Sequence, residues 1–288
     1  MKRVNDFFKA YGKATIWSGL FFLIQIIGLL LTIVYKVSVS SAFAKEFLKV
    51  LVPLVDSVNY IDYATGLGAS YIQLIAELAS YAVMFSIIPI AIIFLCHAKI
   101  TKQKPLRMPE KPIDMIILGL AANLFLSIAI NVIIPVLPEA MVSGLTSSTS
   151  IATGGTLMFT LLTTGILGPI IEEVCFRYGV FRSLYKSYPT MAIIIQAAVF
   201  GIIHGNVIQG CYAFILGIIF GYVYQKSEWN LTNSIIVHCV INSSSVLIAG
   251  LGLYEYFTLS AFLISYIVVK IAIEHLPHKQ KNIAKISC

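Results

Sequence analysis

Glu172 and Glu173 stand side by side in GPIIEEVCFRYGVFR (168–182), with Arg177 four residues beyond the second, inside a run that is otherwise apolar. His204 closes FGIIH (200–204), and His238 and Asn242 stand four apart in IIVHCVINSSS (235–245). A charged side chain at bilayer depth costs about 2.5–3.5 kcal/mol or more, so it is kept there only when paired or put to use. A buried glutamate next to a histidine is a general base for a water molecule. A His and an Asn at i,i+4 project from one helix face and can donate hydrogen bonds to the oxyanion that forms when a carbonyl is attacked. Glu173 and Arg177, in the favourable Glu-before-Arg order, would neutralise one another and leave Glu172 free toward a cavity. On an α-helix adjacent residues point about 100° apart, so the two carboxylates need not do the same job. These residue types fit hydrolysis of a peptide bond inside a membrane.

The elements that must position them are membrane helices. Of 288 residues 58% are hydrophobic and 11% charged, with a mean hydropathy of +0.89. A soluble domain averages about 25% charged and 45–50% apolar residues, so the composition excludes an ordinary soluble fold. Windows of roughly 20 apolar residues mark spanning helices. Eight are predicted, over 15–35, 78–96, 115–136, 158–184, 190–204, 212–224, 231–251 and 257–273. The fold expected is all-α, a multi-pass transmembrane bundle. The apolar stretch at 15–35 is too long for a signal-peptide core and reads as an uncleaved anchor, although Ala42-Phe43-Ala44 resembles a cleavage site.

The net charge of +7 falls between the spans, not in a nucleic-acid patch. Lys2, Arg3, Lys9 and Lys13, then Lys99, Lys102, Lys104, Arg107 and Lys111, then Arg182, Lys186, Lys226, Lys279, Lys281 and Lys285 all fall on one side if both termini are cytoplasmic. Only Lys36, Lys45 and Lys49 fall opposite, in a 36–74 segment where Phe43, Phe47, Leu48, Leu51 and Leu54 have the spacing of an interfacial helix. An ordinary external loop is the alternative there. The stretch 138–155, with Gly144, Ser147, Ser148, Ser150 and Gly154, reads as a polar loop, and Pro189 separates two helices. Five scattered cysteines give no disulfide framework and no zinc spacing, and Cys175 and Cys239 read as small apolar fillers. Gly201/Gly205 and Gly217/Gly221 read as close helix packing within the chain. Without an internal repeat or linker, 1–288 is one membrane domain, with 1–137 as accessory helices.

At a rise of about 1.5 Å per residue, Glu172, His204, His238 and Asn242 come to comparable depth in the half nearer the cytoplasm. The three motifs E-E-x-x-x-R, F-x-x-x-H and H-x-x-x-N, in this order and spacing, resemble the CPBP intramembrane proteases. These comprise type II CAAX prenyl endopeptidases, bacteriocin-processing and immunity proteins, also called the abortive-infection family. The resemblance covers 158–273, the catalytic core helices. It implies that Glu172 and His204 activate water, that His238 and Asn242 form the oxyanion hole, and that Glu173 and Arg177 support them. It also implies a cavity open to the cytosol and a membrane-embedded or lipid-anchored peptide or protein as substrate, in the cell membrane. One departure is Tyr178, which stands between Arg177 and Gly179 where many members have glycine directly after the arginine.

Three alternatives remain open on the sequence. Glu172, His204 and His238 could ligate zinc with an open fourth position, although no H-E-x-x-H is present and Asn242 is easier to read as a donor; metal-independent hydrolysis is the preferred expectation. The chain could be a non-catalytic immunity or interaction protein that keeps the motif for stability. A proton-coupled transporter using Glu172 and the histidines is disfavoured by the lack of a repeat between halves.

Overall fold

The computed structural model describes residues 2–41, 43–45, 47, 68–109, 111–153, 155–185, 187–252 and 259–274. Among the described residues every regular element is helical. We number them α1 (Lys2–Val39), α2 (Gly68–Ile100), α3 (Pro112–Ile133), α4 (Glu139–Thr153), α5 (Leu157–Tyr185), α6 (Pro189–Ile202), α7 (Val207–Lys226), α8 (Leu231–Gly250) and α9 (Leu259–Glu274). Six of these, α1, α2, α3, α5, α7 and α8, are long and apolar enough to cross a membrane, and α6 is a shorter apolar helix. The chain is a multi-pass helical bundle. Phe22, Ile26, Leu30 and Val34 on α1 and Ile88, Ile92 and Leu95 on α2 face outward. In water such a surface would be a liability; in lipid it is the solvent-matching face.

Each of the eight expected windows falls on a helix, although α1 and α2 begin well before the windows at 15 and 78, and six of the helices, not eight, are long and apolar enough to span. Two expectations are corrected. The stretch read as a polar loop, 138–155, folds for most of its length as α4, which packs against α2 and α7. Its Ser and Thr content is weakly helix-forming, but Glu139 in the first turn suits the helix dipole. Tertiary contact supplies the rest. The helix expected over 190–204 ends at Ile202, so His204 sits in the turn beyond it. Of the interfacial helix expected in 36–74, Phe43, Lys45 and Phe47 are described and helical, whereas Leu48, Lys49, Leu51 and Leu54, and the tail cations Lys279, Lys281 and Lys285, lie outside the described residues.

α5 is the central element, packed against α1, α2, α6 and α8, while α3 lies between α8 and α9. α6 and α7 form a hairpin so close that a Cβ on Gly201 would meet the Gly210 carbonyl at 2.6 Å and one on Gly217 would meet Ala197 Cα at 2.8 Å. The expected intrachain packing thus holds for Gly201, Gly217 and Gly221. Gly205 serves differently, turning the chain at φ 76° with open space around it. Asn206 and Asn230 cap α7 and α8 by accepting from the backbone N–H groups of Gln209 and Thr232. The loop after α2 is pinned to the turn before α8: Leu231 N–H donates to Pro105 O at 2.8 Å, and Arg107 N–H donates to Asn230 Oδ1 at 3.1 Å.

Candidate active site

α5 is not a regular α-helix. Leu161–Leu167 and Glu173–Phe181 have π-helical geometry, with Gly168–Glu172 between them. Such wide turns recur where a helix is interrupted. Pro169 supplies the interruption, since it has no N–H to give to Gly165 O (i−4) or to Thr164 O (i−5). α8 supplies the missing donors. Asn242 Nδ2 donates to Thr164 O at 3.1 Å and Ser243 Oγ donates to Gly165 O at 3.2 Å, while Cys239 Sγ reaches Ile166 O at 3.8 Å. A Cβ at Gly165 would meet Ser243 Oγ at 2.7 Å, so only glycine admits this approach. The interruption falls immediately before the two glutamates, and the clamp from α8 fixes where they stand.

Glu173 and Arg177 are fully buried and lie 3.2 Å apart, Oε1 to Nη1. The contact is an ion pair, not an aligned hydrogen bond. The rings of Phe200 and Phe220 flank the guanidinium, 4.3 and 4.8 Å from Cζ, and add cation–π attraction. His238 reaches the same carboxylate. Its Nδ1 lies 2.8 Å from Glu173 Oε1, and its Nε2 lies 3.6 Å from Glu172 Oε2. Phe220 stacks on the imidazole with ring centroids 4.4 Å apart and 23° between planes, and Phe200 meets it edge-on at 5.8 Å. An ionised carboxylate only accepts, so His238 Nδ1 is the donor toward Glu173 and Nε2 is turned toward Glu172.

The two carboxylates were expected to do separate work, and their surroundings differ: Glu173 is sealed in, whereas the Glu172 side chain keeps 22% of its exposure. Yet both converge on one imidazole, which α8 inserts so that Nδ1 meets Glu173 and Nε2 faces Glu172. His204 is held by its own helix end, Nδ1 donating to Phe200 O at 2.7 Å with its ring 4.9 Å from that of Phe200. Among the described residues no hydrogen bond or ion pair joins His204 to Glu172. Phe200 is the link, touching Arg177, His204 and His238 at once. Asn242 is committed through one N–H to Thr164, and that bond settles which end of its amide faces α5. Cys175 is buried as expected of an apolar filler.

Four contributors escaped the sequence reading: Phe220, Thr164, Ser243 and Pro169. Pro169 alone carried a legible signal, a proline inside a helical run. Among the described residues no three His, Cys, Asp or Glu side chains gather as a metal-holding group.

The fold and this constellation define a class, a helical membrane protein with an acid–imidazole–guanidinium network buried between its spans. Residues 154–244 match the family model described as type II CAAX prenyl endopeptidase Rce1-like. That segment, less than half of the chain, holds all six site residues, and the match supports a protease of the CPBP intramembrane family. The match supports a CAAX-type protease, a peptide-bond hydrolase, in general terms. No curated protein and no solved structure matches the chain.

Proposed function

We propose that this protein is an intramembrane endopeptidase of the cell membrane that hydrolyses a peptide bond of a membrane-embedded or lipid-anchored substrate. The observation that carries the reading is the bracketing of His238 by two carboxylates, of which only Glu172 is open to a reactant. Glu172 takes a proton from water as its oxygen attacks the scissile carbonyl, and the same proton later goes to the leaving amine. His204, held by Phe200 O, presents its other ring nitrogen to that water. His238 Nε2 and the second N–H of Asn242 stabilise the oxyanion. With His238 doubly protonated, the charges of Glu172, Glu173, Arg177 and His238 sum to zero, which suits a low-dielectric site. Glu173 and Arg177 orient the imidazole and touch no reactant. No step is routed through a metal.

The test uses a fluorogenic farnesylated peptide ending in a C-a-a-X sequence and the purified full chain in proteoliposomes. Glu172→Gln should lower turnover by about 10²–10⁴-fold with an unchanged unfolding midpoint. Full activity in that variant overturns the assignment.

The contact of His238 with Glu172 favours a second reading, in which His238 shares the proton of the water with Glu172 and His204 is peripheral. His238→Gln separates the two. A glutamine can donate but cannot relay a proton, so partial activity favours the oxyanion role and none favours the relay.

A further inference from the structure

The second buried cation of α5 has no acid to answer it. Arg182 is 7% exposed, yet among the described residues no carboxylate pairs with it. Nη1 makes a long 3.5 Å bond to the Tyr224 hydroxyl. Nε is sealed in without a partner. Nη2 is bonded to no described residue. The faces of Tyr178 and Trp229 lie 5.8 and 6.0 Å from Cζ, at the far limit of cation–π attraction. Arg177, one helical stretch away, has Glu173; among the described residues Arg182 has the Tyr224 hydroxyl and two ring faces.

More positive charge gathers at the same end of the bundle. Lys13 stands one turn before Trp17, whose ring meets those of His97 and Tyr178 edge-on at 5.4 and 5.7 Å; Tyr178 in turn faces Arg182, and its hydroxyl lies 2.7 Å from His97 Nδ1. Arg107 and Arg182 both act on the Tyr224 hydroxyl. Arg107 spends its Nη2 on the carbonyls of Ser227 and Glu228, at 3.1 and 2.6 Å, and pairs with no described carboxylate. Lys13 is exposed and is likewise without a described acid. Beside it on α1, Phe8 and Ile16 turn apolar side chains outward. Positive charge at helix ends beside the outward-facing Ile16 has the composition that takes an anionic headgroup with its acyl chains lying alongside.

We propose that the junction of α1, α2 and α5 binds the phosphate of an anionic lipid headgroup, with Arg182 as the inner ligand and Lys13 as the outer one. A planar fork suits a phosphate better than a point charge does. The site is independent of the protease reading, since none of its residues touches Glu172 or His238.

The test is lipid retention in native mass spectrometry, with thermal unfolding of the purified full chain in detergent, on adding dioleoyl phosphatidylglycerol, dioleoyl phosphatidylcholine or inorganic phosphate. Phosphatidylglycerol should be retained and should raise the unfolding midpoint, and phosphatidylcholine should do neither. Lys13→Gln, at an exposed position, should weaken retention roughly fivefold, and Arg182→Gln more. Should Arg182→Gln fail to fold, Arg182→Lys keeps the charge, loses the fork and should still bind more weakly than the parent chain. Equal retention of the two lipids, or retention undiminished in Lys13→Gln and Arg182→Lys, overturns the proposal. Stabilisation by inorganic phosphate equal to that by phosphatidylglycerol also overturns it, since the site would then recognise a free anion and not a lipid.

Discussion

At the scale of single residues, Glu173 is the buried acid that offsets Arg177, and it accepts from His238 Nδ1 as well. Arg177→Met leaves a sealed carboxylate facing His238 alone, and removal of one partner of a buried pair costs about 3–5 kcal/mol. Glu173→Gln/Arg177→Met should cost less than the sum of its single variants, as read from unfolding midpoints in detergent. An additive result would show that the two charges are not coupled. The i,i+4 spacing of this pair was legible in the sequence, and so was the separate, freer state of Glu172. The attachment of His238 to both carboxylates was not. It depends on how α8 faces α5, which residue spacing within one helix cannot announce.

At the scale of elements, the interruption in α5 is a two-part device, a proline that removes a donor and a neighbouring helix that replaces it. Ser243→Ala should cost about 0.5–1.5 kcal/mol by leaving the Gly165 carbonyl without its donor. The same substitution should cost less in a Pro169→Ala background, because an alanine at that position brings back an N–H. A double-mutant cycle on thermal stability checks this, and zero coupling would separate the two residues. The α6–α7 hairpin gives a plainer expectation. Gly201→Ala forces a methyl against the Gly210 carbonyl and should destabilise by about 1–3 kcal/mol, measured in the same way. Apolar period and length revealed eight helices, but α4 escaped because its Ser- and Thr-rich sequence imitates a loop, and only packing on α2 and α7 makes it a helix.

For the molecule as a whole, the helices outside the family match are built into the core. Trp17 of α1 lies over Gly179, where a Cβ would come within 2.4 Å of the indole, and it meets Tyr178 and His97 edge-on. Tyr178, the departure from the usual arginine–glycine order, is thereby the residue on which α1 docks. Trp17→Ala should lower stability by about 3–5 kcal/mol and raise protease sensitivity near the N-terminus, while the contacts of Glu172, Glu173 and His238 stay in place. Unchanged sensitivity would mean that α1 is held elsewhere. Composition showed a membrane protein; it could not show that these helices are part of the core, since aromatic docking leaves no periodic trace.

The seam between the loop after α2 and the turn before α8 bears on how the protein is made. Pro105 and Arg107 find their partners at Leu231 and Asn230, more than 120 positions later in the chain. A ribosome therefore releases α1 and α2, which can pack on each other at once, long before the partners of this seam exist. The loop after α2 has to wait unlatched until the turn before α8 has been made.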